Sequence, residues 1–296
     1  MKSRTFIRFM MLMMSISFLA LSCSKDNHGD TIIDETEEQL PENRQDAETR
    51  INGKWQISEG DDVRSIEFLD GNTYVIEVGT SFAPQARLSL QARSHSAIKA
   101  QTSGSSSTKL FGSFTISADG KTITLDDIIR ITITSISDES FTFTLTYLQG
   151  NRQQQLSAQY IASVDSSENT TLLARKWGFS AWADFDQANK KIFENHGFKP
   201  QDQGLQFTSS GTMLMRYLNF QSSTSVDPET GASREIITSV NLESDIYTWR
   251  WKDRQQRVIV FTGIDGHSSE INIVELTAAQ LRATLENGTR WNLVVL

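Results

Sequence analysis

The chain has 296 residues but only one cysteine, four prolines and four histidines. With a single cysteine no internal disulfide can form, so any exported domain here is held by packing, and a lone cysteine points to a special use. The histidines (His28, His95, His196 and His267) are scattered, and none stands at metal-ligand spacing from another. No Gly-x-Ser-x-Gly elbow, phosphate loop, dinucleotide fingerprint or His-Glu-x-x-His pair occurs. The sequence therefore offers no catalytic pair, no cofactor cradle and no metal set, and it reads as non-catalytic. Basic charge is also scarce, with 28 Lys and Arg against 36 Asp and Glu. An acidic chain without a basic stripe repels phosphate backbones, so nucleic acid is not an expected partner. No apolar run reaches the roughly 20 residues that a membrane-crossing helix needs.

What is present begins at the N-terminus. Met1-Lys2-Ser3-Arg4 and Arg8 precede an apolar run from Phe9 to Leu21, the order of a secretion signal. Leu19-Ala20-Leu21-Ser22-Cys23 resembles a lipobox, in which the cysteine becomes the first residue and takes a diacylglycerol. Residues 1–22 are thus read as a lipoprotein signal and Cys23 as the lipidation site, with the membrane as partner. Loss of residues 1–22 removes Lys2, Arg4 and Arg8 and moves the formal charge from −8 to −11. Cys23-Ser24-Lys25-Asp26 resembles the start of Bacteroidetes lipoproteins carried to the outer face of the outer membrane, which implies a cell-surface location. Residues 23–50 are acidic and poor in large apolar side chains, so they are expected to be a solvated tether.

From Lys54 onward the chain alternates apolar and polar residues with period two, broken by turn signals. Asp70-Gly71-Asn72 is a hairpin turn between Ile66-Glu67-Phe68 and Thr73–Val78. The same order then returns. Lys54-Trp55 is echoed by Lys176-Trp177, Ile66-Glu67-Phe68 by Leu205-Gln206-Phe207, and residues 131–145 lie without gaps on 271–285. A fixed-order repeat of this length signals a duplicated domain. The expected division is 51–164 and 172–296, joined by a linker over 165–171. Trp55 and Trp177 are 122 positions apart, whereas Phe68 and Phe207 are 139 apart, so 17 extra residues lie between Trp177 and Phe207. There Trp182, Phe185, Ile192 and Phe193 fall at helical spacing before Gly197 and Pro200, which predicts one amphipathic helix.

Each copy resembles the lipocalin-like domains of Bacteroidetes lipoproteins, in which an N-terminal Gly-x-Trp strand opens a small antiparallel barrel. Gly53-Lys54-Trp55 keeps that motif, and Arg175 replaces the glycine in the second copy. The likeness covers Gly53 to Leu296 and implies an all-β fold of two tandem antiparallel barrels with one short helix inserted in the second. Tyr247, Trp249 and Trp251 alternate on one strand and face one way, either as core or as the wall of a cavity. The inserted helix has an apolar face to bury, as a plug or as a lid on a barrel end. The candidate ligand-binding residues are therefore Trp182, Phe185, Phe193, Tyr247, Trp249 and Trp251. Two functions remain: a binding module for a small apolar ligand or glycan, or a structural or adhesion lipoprotein with filled barrels and protein partners. Metabolic labelling of cells with a radioactive fatty acid checks the anchor, since Cys23→Ser should abolish incorporation.

Overall fold

The computed structural model describes residues 40–59, 62–79, 82, 107–182, 187–226, 229–231, 233–263 and 265–296. Cys23, the signal segment and most of the tether lie outside the described residues, as does Phe185. The described residues belong to one compact unit, Glu38–Leu296.

Eight strands close the first barrel: β1 (Gly53–Ile57), β2 (Val63–Leu69), β3 (Thr73–Gly79), β4 (Ser107–Ile116), β5 (Thr122–Leu125), β6 (Ile129–Ile136), β7 (Ser140–Tyr147) and β8 (Gln153–Ile161). Eight more close the second: β9 (Lys176–Phe179), β10 (Gly204–Phe207), β11 (Thr212–Val226), β12 (Ser233–Trp251), β13 (Val258–Gly263), β14 (Ser268–Leu276), β15 (Gln280–Leu285) and β16 (Arg290–Val295). Each strand pairs antiparallel with its neighbours in sequence, and the last returns to the first. The fold is all-β with two tandem barrels, as the alternation and the repeat require. The Asp70–Asn72 turn forms with Gly71 and Asn72 both at positive φ, the geometry that matches strand twist in a tight hairpin.

The duplication extends to details of register. Ile131 pairs with Leu145 and Ile136 with Phe141, while Ile271 pairs with Leu285 and Leu276 with Leu281. Both hairpins carry a bulge at the same place, between Ile133 and Ser135 and between Ile273 and Glu275. Both turns are tied alike: Ser140 N–H donates to Ser137 Oγ, and Gln280 N–H donates to Thr277 Oγ1.

Two helices correct the sequence reading. The end of the expected tether forms α1 (Arg44–Ile51), whose Asn43 N-cap accepts from Asp46 N–H, and its Ala47 and Ile51 are buried in the first barrel's core. The expected linker likewise enters α2 (Glu168–Leu173), capped by Ser167, with Leu173 in the second core. Composition hid both, because two apolar side chains one helical turn apart suffice to fill a barrel end while everything around them stays polar. Each helix is fixed by the tryptophan of the first strand: Trp55 Nε1–H donates to Ile51 O at 2.7 Å, and Trp177 Nε1–H to Leu173 O at 3.0 Å.

The barrels touch through outward-facing residues. Leu69 and Val75 pack on Leu214 and Ile246 with Phe111 alongside. Glu67, only 2% exposed, accepts from Ser210 Oγ and Thr212 Oγ1 of the second barrel, each at 2.5 Å. A carboxylate buried in this way needs such donors to offset its lost hydration.

Asp165 locks α2 to the second barrel. Its carboxylate accepts from Ser167 N–H, Thr170 Oγ1 and Gln256 Nε2, and Thr170 Oγ1 in turn accepts from Trp251 Nε1–H. Partial burial opposes its charge, but these hydrogen bonds outweigh burial and hold its pKa below the usual carboxylate range. The depressed value means that the contribution to stability is full at neutral pH and fades as pH falls through that lowered pKa. Asp165→Asn should therefore lower the melting temperature at pH 7, and the gap from wild type should close in acid, as followed by thermal denaturation across a pH series.

Candidate functional site: the mouth of the second barrel

Each barrel has one end closed by its N-terminal helix, and the two differ at the other end. In the first, Phe82 and Tyr147 meet edge to face at 5.5 Å and are almost fully buried. Beside them Asp62, also buried, accepts from Gln154 Nε2 and pairs with Arg152. Among the described residues the first core has 27 buried apolar members, whereas the second has 13, with seven more only partly buried. Among the described residues the first core is thus buried throughout, and the second leaves apolar side chains partly exposed.

Four of those seven define the mouth. Phe179 ends β9 and meets Trp291 edge to face; Tyr247 meets Phe261 in the same manner; Met215 and Leu285 complete the floor. Their positions follow from register, since Met213 pairs with Tyr247 and Met215 with Asp245, so all project inward. β11 and β12 then continue past the barrel. The last residue of β11 facing β10 is Arg216, and the first of β12 facing β13 is Tyr247. From Tyr217 to Val226, β11 pairs with β12 alone, a ribbon of about 30 Å at ~3.3 Å per residue.

The ribbon's inward face puts polar groups above the apolar floor. Tyr217 OH donates to Glu243 Oε2 at 3.5 Å, Asn219 Nδ2 donates to Glu243 Oε1 at 2.7 Å, and Tyr247 OH donates to Asp245 Oδ2 at 3.4 Å. Desolvation, reinforced by the Asp245 charge, pushes the Tyr247 phenol up to about 12, and Tyr217 is raised by burial with Asp245 and Glu243. Both phenols stay protonated across the physiological range. The mouth therefore presents two O–H donors and two carboxylate acceptors over an aromatic and thioether floor. Among the described residues no histidine joins it: His196 Nδ1 is bonded to Ile192 O on the inserted helix, and His267 sits in a turn. Among the described residues, no group of three or more His, Cys, Asp or Glu side chains is placed to hold a metal ion. This arrangement can bind and orient a ligand.

The expected site residues divide three ways. Tyr247, Trp249 and Trp251 share one face of β12, but only Tyr247 reaches the mouth. Trp249 is buried beneath it, with its indole N–H on Thr208 O, and Trp251 lies at the closed end on Thr170 Oγ1. Trp182 and Phe193 are elsewhere. The inserted helix, α3 (Gln187–Asn195), neither plugs nor covers a barrel end. Its Phe193 packs with Trp182, Leu218, Phe220, Ile237 and Val240 in a core of its own. By register Leu218, Phe220, Val240 and Leu242 point away from the Tyr217 and Glu243 face. The helix is a buttress behind the ribbon. The sequence could not show this, because the ribbon's extra length supplies an apolar face that no barrel strand offers. Glu243 and Asp245 could have been found by stepping back two residues at a time from Tyr247.

Fully buried Phe193 is the keystone of that satellite core. Phe193→Ala should cost the ribbon about 3–5 kcal/mol of local stability, as for other buried Phe truncations. Native-state hydrogen exchange checks this: amides in 218–226 and 233–242 should exchange faster, while those of Leu205 and Ile259 in the barrel wall stay protected. No protein-family model matches the chain, and no curated protein matches it.

Proposed function

We propose that the chain is a non-catalytic binding lipoprotein, held in the outer membrane by lipid on Cys23 and exposed at the cell surface. The ligand it takes at the mouth of the second barrel is small, with an apolar body and a hydrogen-bonding head. The observation behind this reading is the contrast between the barrels: among the described residues one core is buried throughout, and the other keeps Phe179, Met215, Tyr247 and Leu285 partly exposed beneath Tyr217, Glu243 and Asp245. Ligand sites of this type combine an apolar lining with a few placed polar groups. A glycan is the second ligand class, since carboxylates and phenols also match hydroxyls. A further reading, an adhesion lipoprotein with protein partners, is favoured by the ribbon that stands clear of its barrel.

Uptake of a neutral apolar fluorophore, N-phenyl-1-naphthylamine, tests the mouth. Wild-type protein should show saturable enhancement, and Tyr247→Ala should weaken it about tenfold, or about 1.4 kcal/mol. Equal uptake by both forms, or none by either, would leave the adhesion reading in front.

A further inference from the structure

A second crevice, of about 170 Å³, lies where the two barrels meet at their helix-closed ends. It is remote from the mouth and its floor is polar. Gln206 lies at its base, on β10 between Lys176 and Leu214 and facing outward where Leu205 and Phe207 face in. The residue is only 7% exposed, and among the described residues no protein group bonds its side-chain amide. Its amide atoms are not sealed from solvent but open into the crevice, where a ligand could take up their hydrogen bonds. Lys54 stands on the opposing wall, and among the described residues no hydrogen bond or ion pair engages its ammonium. Beside it stands Tyr160, a residue 40% exposed, whose ring lies over Gly53, where a Cβ would come within 2.6 Å of it. The flanking charges are already satisfied: Glu67 accepts from Ser210 and Thr212, and the Arg175 guanidinium donates to Ala278 O and Thr171 O.

This chemistry selects a ligand class. An amide offers donor and acceptor together, which matches a hydroxyl; an anion would use only half of it, and an apolar group would leave both halves unmet. The ring of half-exposed Tyr160 offers an apolar face for C–H groups. A molecule with hydroxyls around its edge and C–H groups on its faces is a sugar ring. We infer that the crevice between the barrels is a binding site for a neutral hexose residue, with Gln206 and Lys54 bonding its hydroxyls and Tyr160 stacking on its face. The site does not depend on the barrel-mouth reading, and it exists only where both barrels are docked.

Saturation-transfer NMR on the full chain with methyl β-D-glucopyranoside, methyl β-D-galactopyranoside and methyl α-D-mannopyranoside tests it, with methyl glucuronide as the charged comparison. At least one neutral glycoside should bind with millimolar affinity. Gln206→Leu and Tyr160→Ala should each weaken that binding about tenfold or more. Tyr160→Phe keeps the ring and should retain binding, which separates lost stacking from lost folding, and Tyr247→Ala at the mouth should leave it unchanged. Absence of saturation transfer from all three neutral glycosides overturns the inference, as does binding of the glucuronide alone. Binding that Tyr247→Ala abolishes and Gln206→Leu spares would move the sugar to the mouth and also overturn it.

Discussion

The structure depends on one hydrogen bond, made twice. In each barrel the tryptophan of the first strand donates its indole N–H to the carbonyl four residues earlier, from Trp55 to Ile51 and from Trp177 to Leu173. That bond holds a short helix, too short to persist alone, against the end of a sheet. The helix delivers Ile51 or Leu173 into the core, and the indole fills the space beside it. A satisfied indole N–H is the condition for burying so large a side chain. Because donor and acceptor are four residues apart, this contact costs little chain entropy to form. Closing the first strand on the eighth spans the whole domain and costs more.

Much of the architecture is legible in the sequence. The two-residue alternation gave the strands, the gapless match of 131–145 with 271–285 gave the second copy, and the 17-residue excess located the insertion. The repeat proved faithful down to the bulges at Ile133 and Ile273. The two end-closing helices were illegible because their apolar content is two or three residues amid charge, below what a composition argument can register. The site was half legible. Alternation placed Tyr247, Trp249 and Trp251 on one face, but it could not say that the barrel axis would carry them from mouth to closed end. The helical spacing marks Phe193 as a residue needing burial, but a barrel end is not its cover, because no pattern announces that β11 and β12 run on past the barrel.

The two copies differ where function would separate them. Gly53 admits the Tyr160 ring beside Trp55, and at the equivalent position Arg175 lays its guanidinium 5.8 Å over the Trp177 ring. One cationic side chain thus does for the second indole what an aromatic ring from β8 does for the first. Among the described residues the first copy has its core buried throughout and serves as a base through Glu67, Leu69 and Val75, while the second keeps part of its core exposed and carries the insertion. Duplication followed by this division leaves one domain as scaffold and the other free to change.

The ribbon of β11 and β12 has a further consequence. Barrels have no free edges, but beyond Arg216 and Tyr247 the described strands of the ribbon pair only with each other, so each has an outer edge with no further strand beside it, the kind of template on which chains aggregate. The sequence there blunts the hazard. Gln221-Ser222-Ser223-Thr224-Ser225 is exposed and uniformly hydrophilic, and a bulge between Gln221 and Ser222 twists the edge out of register. The tip is therefore constrained by what it must not do: a run of valines would fit the same backbone and turn this surface into a nucleus for fibres.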